Sequence, residues 1–326
     1  MLRIEQVLTQ RRFQPHLSCQ IIYEWEDVLA KVLGVPLADD FHTCNLAYRV
    51  LRRLSPAVAR FGKTNRPSLL FEMFAGRDNG NDKETIIPAI IDFFVRERED
   101  LCRFYASYKR NPIVLISSRE AYEFLKAEGC PLKIYHWGLS LADKWVSNDF
   151  HREEKRFDAI VCGRQNPKLS EWLDRYALSH RDFNVLKRVR ENGKWLCRSS
   201  LTGEAFESET REQYMGLLRM AKIGLFSTPS MDNGKPAANG FNQVTPRFLE
   251  YIASGCHVVS RYPRNADTDY YELLRMTPNV ESYDQFEKEL DRMRTEPVDE
   301  VLYAQYLKKH VTSRRAAELA ALLKKA

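Results

Sequence analysis

The sequence predicts an α/β protein built from two doubly wound, Rossmann-like domains. Three observations carry this prediction. Strand-like and helix-like patterns alternate along the first half of the chain, a second alternating series follows a charged stretch, and the 326 residues suit two domains of roughly 150 residues each. Strands that alternate with helices form mainly parallel sheets, because a crossover has to return the chain between parallel neighbours.

Apolar runs and helical periodicity define the predicted elements of the first half. A short apolar run at 19–23 is followed by four apolar residues on one face of a helix over 25–33. The other predicted elements are strands at 68–74, 112–117 and 133–136, and a helix at 119–126. Together they indicate one parallel sheet with helices on its faces.

A charged stretch at 151–156 marks the predicted domain boundary, since it is polar and directly precedes a strong strand. The second series of strands is predicted at 157–162, 183–189, 222–226 and 256–259, and helices rich in charged residues follow from about residue 283. We therefore predict an N-terminal domain over 1–150, a second domain over 151–300 and a helical C-terminal segment over 301–326.

The most informative segment is a short helix that follows a polar, glycine-containing loop at 239–244. Thr245 before Pro246 is typical of an N-cap with proline in the first turn, and Gly255 is typical of a helix stop. The amino end of a helix carries roughly half a positive charge and exposes amide donors, so it suits a phosphate.

Two charged side chains, Arg247 and Glu250, share one face of this helix because they are three residues apart. Above an anion-binding helix end, they suit a nucleotide diphosphate, with Arg247 on phosphate and Glu250 on ribose hydroxyls. The alternative is an exposed intrahelical ion pair on an ordinary α/β helix.

A second candidate for phosphate binding, Gly163 with Arg164, comes directly after the strand at 157–162. Open α/β sheets bind ligands at this carboxyl edge. Glycine lets the backbone approach a phosphate, and the arginine guanidinium can form a fork of hydrogen bonds to it. The alternative is a surface arginine in a turn.

Residues 245–259 (TPRFLEYIASGCHVV) resemble the donor-site helix and strand of GT-B glycosyltransferases. The pattern is closest to the group-1-like and spore-maturation-type (CgeB-like) branch. Three further segments match in order: 157–164 (FDAIVCGR), 212–230 (EQYMGLLRMAKIGLFSTPS) and 310–316 (HVTSRRA). The resemblance covers roughly residues 155–320.

The resemblance implies two domains facing a cleft, with a nucleotide-diphosphate sugar held by the second domain and an acceptor by the first. It also implies that the C-terminal helix returns to the first domain. The implied donor-binding residues are Gly163, Arg164, Gly240, Phe241, Asn242, Gln243, Thr245, Pro246, Arg247 and Glu250. Asn242 stands where many retaining members carry a glutamate, so the stereochemical outcome stays open.

Arg164 and Arg247 are predicted catalytic residues, because they would neutralise the departing diphosphate. Other candidates for catalysis lie in the first half. His136 ends a predicted strand and Asp78 lies in a glycine-containing loop, and either could act in catalysis; Glu24, Glu26 and Asp27 are further candidate bases. For each carboxylate, the alternative is a solvated or capping group, and for His136 it is a hydrogen-bonded structural histidine.

A metal site is not expected. Asp267 and Asp269 form an Asp-x-Asp tripeptide, but it follows the donor helix and strand, where a solvated loop is the better interpretation. The histidines and cysteines lack zinc-type spacing. The sequence also has no Walker motif and no Gly-x-Gly-x-x-Gly, which argues against P-loop NTPases and ordinary dehydrogenases. We predict no cofactor and no obligatory metal, only a nucleotide-sugar co-substrate.

The composition limits the class of protein and its cellular location. Hydrophobic residues make up 44% of the chain and the mean hydropathy is −0.47, which fits a soluble protein. No apolar run approaches the roughly 18 residues of a membrane span, and no signal-peptide pattern is present. Seven scattered cysteines fit reduced thiols, so we expect a cytoplasmic protein. The net charge of +6 allows peripheral contact with the anionic inner face of the plasma membrane and does not demand nucleic acid.

These observations predict a metal-independent glycosyltransferase. It would move a sugar from a nucleotide-diphosphate sugar to a hydroxyl of a glycan or lipid-linked acceptor, in bacterial surface polysaccharide or lipopolysaccharide synthesis. Two alternatives remain: a non-catalytic GT-B-like protein that binds nucleotide or sugar, and a glycosyltransferase that modifies nucleic acid.

Overall fold

The structure is a computed structural model that describes residues 2–12, 14, 16–39, 50, 66–75, 84–147, 150 and 153–325. The chain divides into two compact units. Unit 1 comprises Met1–Asp143 together with Val311–Ala326, and unit 2 comprises Lys144–His310. The sequence analysis places the corresponding boundaries at 150 and 300.

Unit 1 contains a six-stranded sheet in which every neighbouring pair is parallel. The sheet order is β2-β1-β3-β4-β5-β6. The strands are β1 (Gln6–Thr9), β2 (Leu37–Asp39), β3 (Ser68–Phe74), β4 (Ile86–Asp92), β5 (Val114–Ile116) and β6 (Ile134–His136). The predicted strands at 68–74, 112–117 and 133–136 are therefore confirmed.

The described helices of the N-terminal part are α1 (Leu17–Leu33), α2 (Arg98–Tyr108) and α3 (Arg119–Ala127), with a 3-10 turn at Asp143–Trp145. The apolar run at 19–23 is not a separate element, because α1 continues through it. Strand β4 carries Pro88 in the middle of the sheet. Since proline lacks the N–H that a ladder uses, the sequence analysis did not predict this strand.

Unit 2 contains a second six-stranded sheet of order β10-β9-β8-β7-β11-β12. Its strands are β7 (Phe157–Val161), β8 (Val185–Glu191), β9 (Lys194–Ser199), β10 (Ala205–Glu207), β11 (Ala221–Ser227) and β12 (His257–Arg261). Strands β8, β7, β11 and β12 are parallel, as predicted. Strands β9 and β10 form an antiparallel extension at one edge that the sequence analysis did not predict.

The helices of unit 2 surround this sheet. They are α4 (Pro167–Ser179), α5 (Arg211–Arg219), α6 (Pro246–Ala253), α7 (Ala266–Tyr270), α8 (Leu273–Met276), α9 (Tyr283–Thr295) and α10 (Glu300–Lys309), with 3-10 turns at Met231–Asn233 and Pro236–Ala238. Helices α4 and α9 cover one face through Leu173, Tyr176, Phe286 and Leu290. Helix α6 lies so close to β11 that a Cβ on Gly224 would be 2.5 Å from the Tyr251 ring.

The last helix, α11 (Thr312–Lys325), belongs to unit 1. Its Ala316, Leu319 and Leu323 are buried in one core with Leu29 of α1 and residues of the sheet. The Trp137 indole N–H donates to the Arg315 carbonyl over 2.9 Å. Residues 311–325 therefore complete the core of unit 1. Among the described residues, no helix is both long and apolar enough to cross a membrane.

One of the candidate bases, Glu26, is buried within α1 at 2% exposure. Its Oε2 lies 3.3 Å from Nη2 of Arg11. Burial raises the pKa of Glu26 from 4.5 to about 7, although Thr9 and Arg11 favour the ionised form. A carboxyl group whose pKa is raised by folding binds its proton more tightly in the folded state, so it makes the protein less stable as the pH rises from about 4.5 to 7.

We therefore expect the stability of the wild type relative to Glu26→Gln to fall by on the order of 2–3 kcal/mol between pH 4.5 and pH 8. The measurement is the difference in unfolding free energy between the two proteins over that range. The subtraction cancels the groups that titrate in both. A difference that does not change with pH would contradict the raised pKa.

Candidate functional site

The parallel strands of unit 2 have a topological switch point at β7. The chain goes from β7 to β8 on one side and later to β11 on the other. In open α/β sheets, ligands bind at the carboxyl edge beside such a point. Gly163 and Arg164 follow β7 at this edge, and α6 begins after the loop that leaves β11. The predicted phosphate-binding residues therefore come from segments that meet here.

Gly163, Arg164 and Arg247 are in direct contact. Nη1 of Arg247 donates to the Arg164 carbonyl over 2.8 Å. Gly163 has a φ of +81°, and a Cβ at this position would lie 2.3 Å from Nη2 of Arg247. Glycine is thus required twice, for its backbone conformation and for the space that the guanidinium occupies. Arg164 and Gly163 are exposed and Arg247 is half-buried, so a ligand can reach all three.

Helix α6 begins as predicted, with Thr245 in extended conformation and Pro246 in the first turn. The Thr245 side chain makes no capping hydrogen bond. Pro246 has no N–H, and the Phe248 N–H donates to the Thr245 carbonyl over 3.1 Å. Of these first residues, Arg247 therefore contributes the amide best placed for a ligand, together with the dipole of the helix.

Glu250 forms its ion pair with Arg211 and not with Arg247. Its Oε1 lies 2.7 Å from Nη1 of Arg211, and its Oε2 accepts a hydrogen bond of 3.0 Å from the Tyr214 hydroxyl. Both partners of this ion pair are only 5% exposed. The alternative of an exposed Arg247–Glu250 ion pair is therefore wrong. The Glu250 carboxylate already binds Arg211 and Tyr214 in the interior, so a contact with ribose would have to use its remaining lone pairs.

The predicted donor loop is tightly anchored. Gly240 is exposed with a φ of +80°, whereas Phe241, Asn242 and Gln243 are buried. Oδ1 of Asn242 accepts from the Thr228 hydroxyl over 2.8 Å, and its Nδ2 donates to the Gly240 carbonyl over 3.0 Å. The amide of Asn242 thus fixes the shape of the loop.

The two aspartates of the Asp-x-Asp tripeptide do not converge. Asp267 is fully buried and accepts a short hydrogen bond from the Val244 amide, so it anchors the donor loop. Asp269 is exposed and pairs with Arg264 at 3.3 Å. Across the described ranges, no group of three or more His, Cys, Asp or Glu side chains is arranged to hold a metal ion. Asp267 is therefore a positioning residue and not part of a solvated loop.

A cationic residue that the sequence analysis missed lies at the same edge. Arg188 of β8 stacks over the Trp195 ring of β9, 4.3 Å from its centroid. Next to it, the thiols of Cys162 and Cys197 are 3.3 Å apart and buried. One sequence signal could have identified Arg188: it alternates with Arg190 along one strand. That strand continues to Glu191, two residues beyond its predicted end.

Of the other two predicted catalytic residues, the structure describes only His136. His136 ends β6 in unit 1, where burial and the charges of Arg119 and Arg315 lower its pKa to about 3. The imidazole is therefore neutral at physiological pH and a weak base. Asp78 lies outside the described residues.

A cavity of about 330 Å³ lies at the opposite, amino edge of the unit 2 sheet, beside Lys155, Lys222 and His257. The two lysines beside this cavity donate hydrogen bonds to backbone carbonyls of the protein. The Lys155 ammonium donates to the carbonyls of Ala221 and Ser254, and the Lys222 ammonium donates to the Arg294 carbonyl. The cavity is therefore not the predicted phosphate site.

The sequence matches no protein-family model and no curated protein. Several solved structures are similar to this chain in fold. Sucrose-phosphate synthase from Thermosynechococcus elongatus is 10% identical with a TM-score of 0.62, and the match covers 99% of both chains. An α-glucosyltransferase in complex with UDP-glucose and DNA containing an abasic site is 9% identical with a TM-score of 0.51, over 99% of both chains.

A third similar structure is described as a UDP-N-acetylglucosamine 2-epimerase from Listeria monocytogenes. It is 12% identical with a TM-score of 0.51, over 98% of this chain and 96% of that chain. The match to GT-B glycosyltransferase structures, with two mainly parallel six-stranded sheets, confirms the predicted fold class. The spore-maturation-type branch stays a prediction. Identities this low establish fold and not activity.

Proposed function

We propose that this chain is a glycosyltransferase that uses a nucleotide-diphosphate sugar as donor. The observation that carries the proposal is the meeting of Gly163, Arg164 and Arg247 beside the amino end of α6 at the switch point of unit 2. At this point one anion can approach the Gly163 backbone closely. Two guanidinium groups and the positive end of the α6 dipole would stabilise its charge. The UDP-glucose named for one similar glucosyltransferase supports a donor of this class.

The chemistry follows from the charge of the leaving group. When the bond between sugar and diphosphate breaks, negative charge grows on the diphosphate oxygens. Fixed cations stabilise that charge more in the transition state than in the bound donor. Arg247 is fixed by its hydrogen bond to the Arg164 carbonyl and by its contact with Gly163. We assign it the main electrostatic role, with Arg164 as a second, more exposed cation.

The acceptor side of the proposal follows from the sequence. We propose a hydroxyl of a glycan or lipid-linked acceptor, bound by unit 1, and a role in bacterial surface polysaccharide or lipopolysaccharide synthesis at the cytoplasmic face of the membrane. The resemblance of residues 245–259 to a glycosyltransferase branch supports this class, and the net charge of +6 is compatible with an anionic surface.

The first experiment is a thermal-shift screen of nucleotide sugars and free nucleoside diphosphates. A ligand that binds only the folded state raises the unfolding temperature, so one strong shift names the donor. Donor turnover is then measured alone, with oligosaccharides and with DNA. Transfer to an oligosaccharide supports the proposal, and transfer to DNA supports the nucleic-acid alternative. Epimerisation of the donor sugar without transfer, or binding without any turnover, would exclude a glycosyltransferase.

We propose that the transferase needs no metal, because arginines and a helix end supply the positive charge. Activity is therefore expected to survive EDTA with at most a twofold loss, on the order of 0.4 kcal/mol. The measurement is the initial rate with and without chelator, in buffer treated to remove metals. Complete loss that Mn²⁺ or Mg²⁺ restores would contradict this expectation.

Gly163→Ala is expected to weaken nucleoside diphosphate binding by roughly tenfold or more, since the new Cβ and Nη2 of Arg247 would overlap. Gly193→Ala is a matched control. Gly193 also has a φ of +81°, but a Cβ there would meet nothing within 4 Å. Both variants carry similar backbone strain, so calorimetric titration of the two isolates the steric effect. Equal losses would remove the assigned role of Gly163.

A further inference from the structure

Arg188 is a half-buried cation that forms no ion pair with a carboxylate of the described residues. Its buried Nε–H donates a hydrogen bond to none of their acceptors. The carboxylates nearest along the sequence are engaged elsewhere: Glu191 pairs with Arg198 at 2.6 Å and Asp182 with Arg294 at 2.7 Å. Among the described residues, the contact recorded for its guanidinium is the stacking over Trp195. Such a group is costly to bury unless an anion binds to it.

The strand register places Arg188 beside the phosphate site. Val161 of β7 is paired with Lys187, so Arg188 lies next to Cys162, the residue before Gly163. Across the antiparallel pair, Arg188 faces Cys197, whose thiol is 3.3 Å from that of Cys162. Arg188 therefore approaches the end of β7 from the β8 side.

Arg247 approaches the same point from the α6 side. The hydrogen bond with Cys197 and burial raise the pKa of the Cys162 thiol, while the charges of Arg247 and Arg188 both act to lower it. The strand register and the space beside Gly163 thus place both arginines around the end of β7. Two cations that face one strand end repel each other in the absence of ligand, and a multivalent anion between them relieves the repulsion.

We propose that Arg188 is a third diphosphate-binding residue, which binds the donor phosphates together with Arg247 on the two sides of Gly163. Trp195 is its positioning residue. The indole holds the planar guanidinium by cation–π stacking, so that its donors are directed before the ligand arrives. This inference rests on the proposed function for the identity of the donor. Its chemistry, a diphosphate between two arginines, can be tested separately.

The test is calorimetric titration of the full chain with inorganic pyrophosphate, with UDP, GDP and ADP, and with the corresponding nucleosides. Arg188→Ala is expected to weaken pyrophosphate and diphosphate binding by about ten- to a hundredfold and to leave nucleoside binding within about twofold. Arg188→Lys is expected to recover only part of the loss, since lysine neither forks nor stacks in the same way.

Arg190→Ala is the matched control. Arg190 is exposed on the same strand and lies over the same ring, but at 5.8 Å from its centroid. It should change binding by less than about threefold, as a general loss of positive charge would. Trp195→Ala should weaken diphosphate binding in the wild type but not in the Arg188→Ala background, and Trp195→Phe should restore part of it. A merely structural role of Trp195 would cost the same in both backgrounds.

The outcomes separate this inference from the proposed function. If Arg188→Ala binds pyrophosphate and diphosphates like the wild type, or loses no more than Arg190→Ala, the inference is wrong even when the wild type transfers sugar. A wild type that binds none of these anions also overturns it. If pyrophosphate binding depends on Arg188 but no nucleotide sugar is ever turned over, the anion site stands and the glycosyltransferase assignment fails.

Discussion

Arg247→Ala is expected to lower turnover with a verified donor and acceptor by ~30- to 1,000-fold while it weakens donor binding less. The reason is that the diphosphate gains negative charge as the glycosidic bond breaks, so a fixed guanidinium stabilises the transition state by about 2–4 kcal/mol. Arg247 is fixed by the Arg164 carbonyl and by the backbone of Gly163. Steady-state kinetics together with titration of a nucleoside diphosphate separate the two effects.

The same experiment includes three further variants. Arg247→Lys should rescue part of the turnover, since lysine cannot form the bidentate fork. Arg164→Ala should also lose turnover, but less, because its side chain is more exposed to solvent. In the Arg247→Ala background, Gly163→Ala should cost little more, because the atoms with which its Cβ would overlap are gone. Near wild-type turnover in both Arg→Ala variants would place the phosphate site elsewhere.

The second large effect concerns stability. Glu250→Ala is expected to destabilise unit 2 by about 3–5 kcal/mol, because it leaves the Arg211 guanidinium buried without its carboxylate. It also removes the acceptor of the Tyr214 hydroxyl. The measurement is the unfolding free energy in urea, with the exposed pair Arg156–Glu204 of the same unit as comparison, where Glu204→Ala should cost less than about 1 kcal/mol.

A double variant distinguishes the loss of a charge partner from the loss of packing. Arg211→Met combined with Glu250→Met replaces the ion pair by apolar side chains and is expected to recover most of the stability. A double variant as unstable as Glu250→Ala would show that the pair contributes through specific geometry. Because Glu250→Ala is expected to destabilise the unit, the ribose role of Glu250 has to be tested with Glu250→Gln, which keeps the hydrogen bonds in the interior.

Local signals predicted the central strands and the bounds of α6. Thr245 and Pro246 favour a helix start, and Gly255, one helix length later, favours a helix end. The bounds of α6 could therefore be predicted from the sequence. The contact between Gly163 and Arg247 was not predicted. It agrees with the topology, because Gly163 and the loop that leads to α6 leave the carboxyl ends of adjacent parallel strands.

Long-range pairings were not predictable in this way. Arg211 lies 39 residues before Glu250, and nothing in the helix pattern of 246–253 shows that the glutamate turns toward it. The antiparallel edge strands β9 and β10 are short and mostly exposed or half-buried, so neither shows the apolar run that identifies a buried strand. Arg188 was missed because its role depends on a contact with Trp195, which lies on another strand.

The position of α11 has a consequence for the order in which the molecule folds during its synthesis. Unit 2 is continuous from Lys144 to His310, so its whole sequence has been translated before α11 exists. Residues 2–143 leave the ribosome before unit 2, yet the core that they share with Ala316, Leu319 and Leu323 is incomplete until residues 312–325 emerge. Unit 1 therefore begins synthesis before unit 2 but completes its core after unit 2 has been translated, and its apolar sheet face is exposed in the meantime.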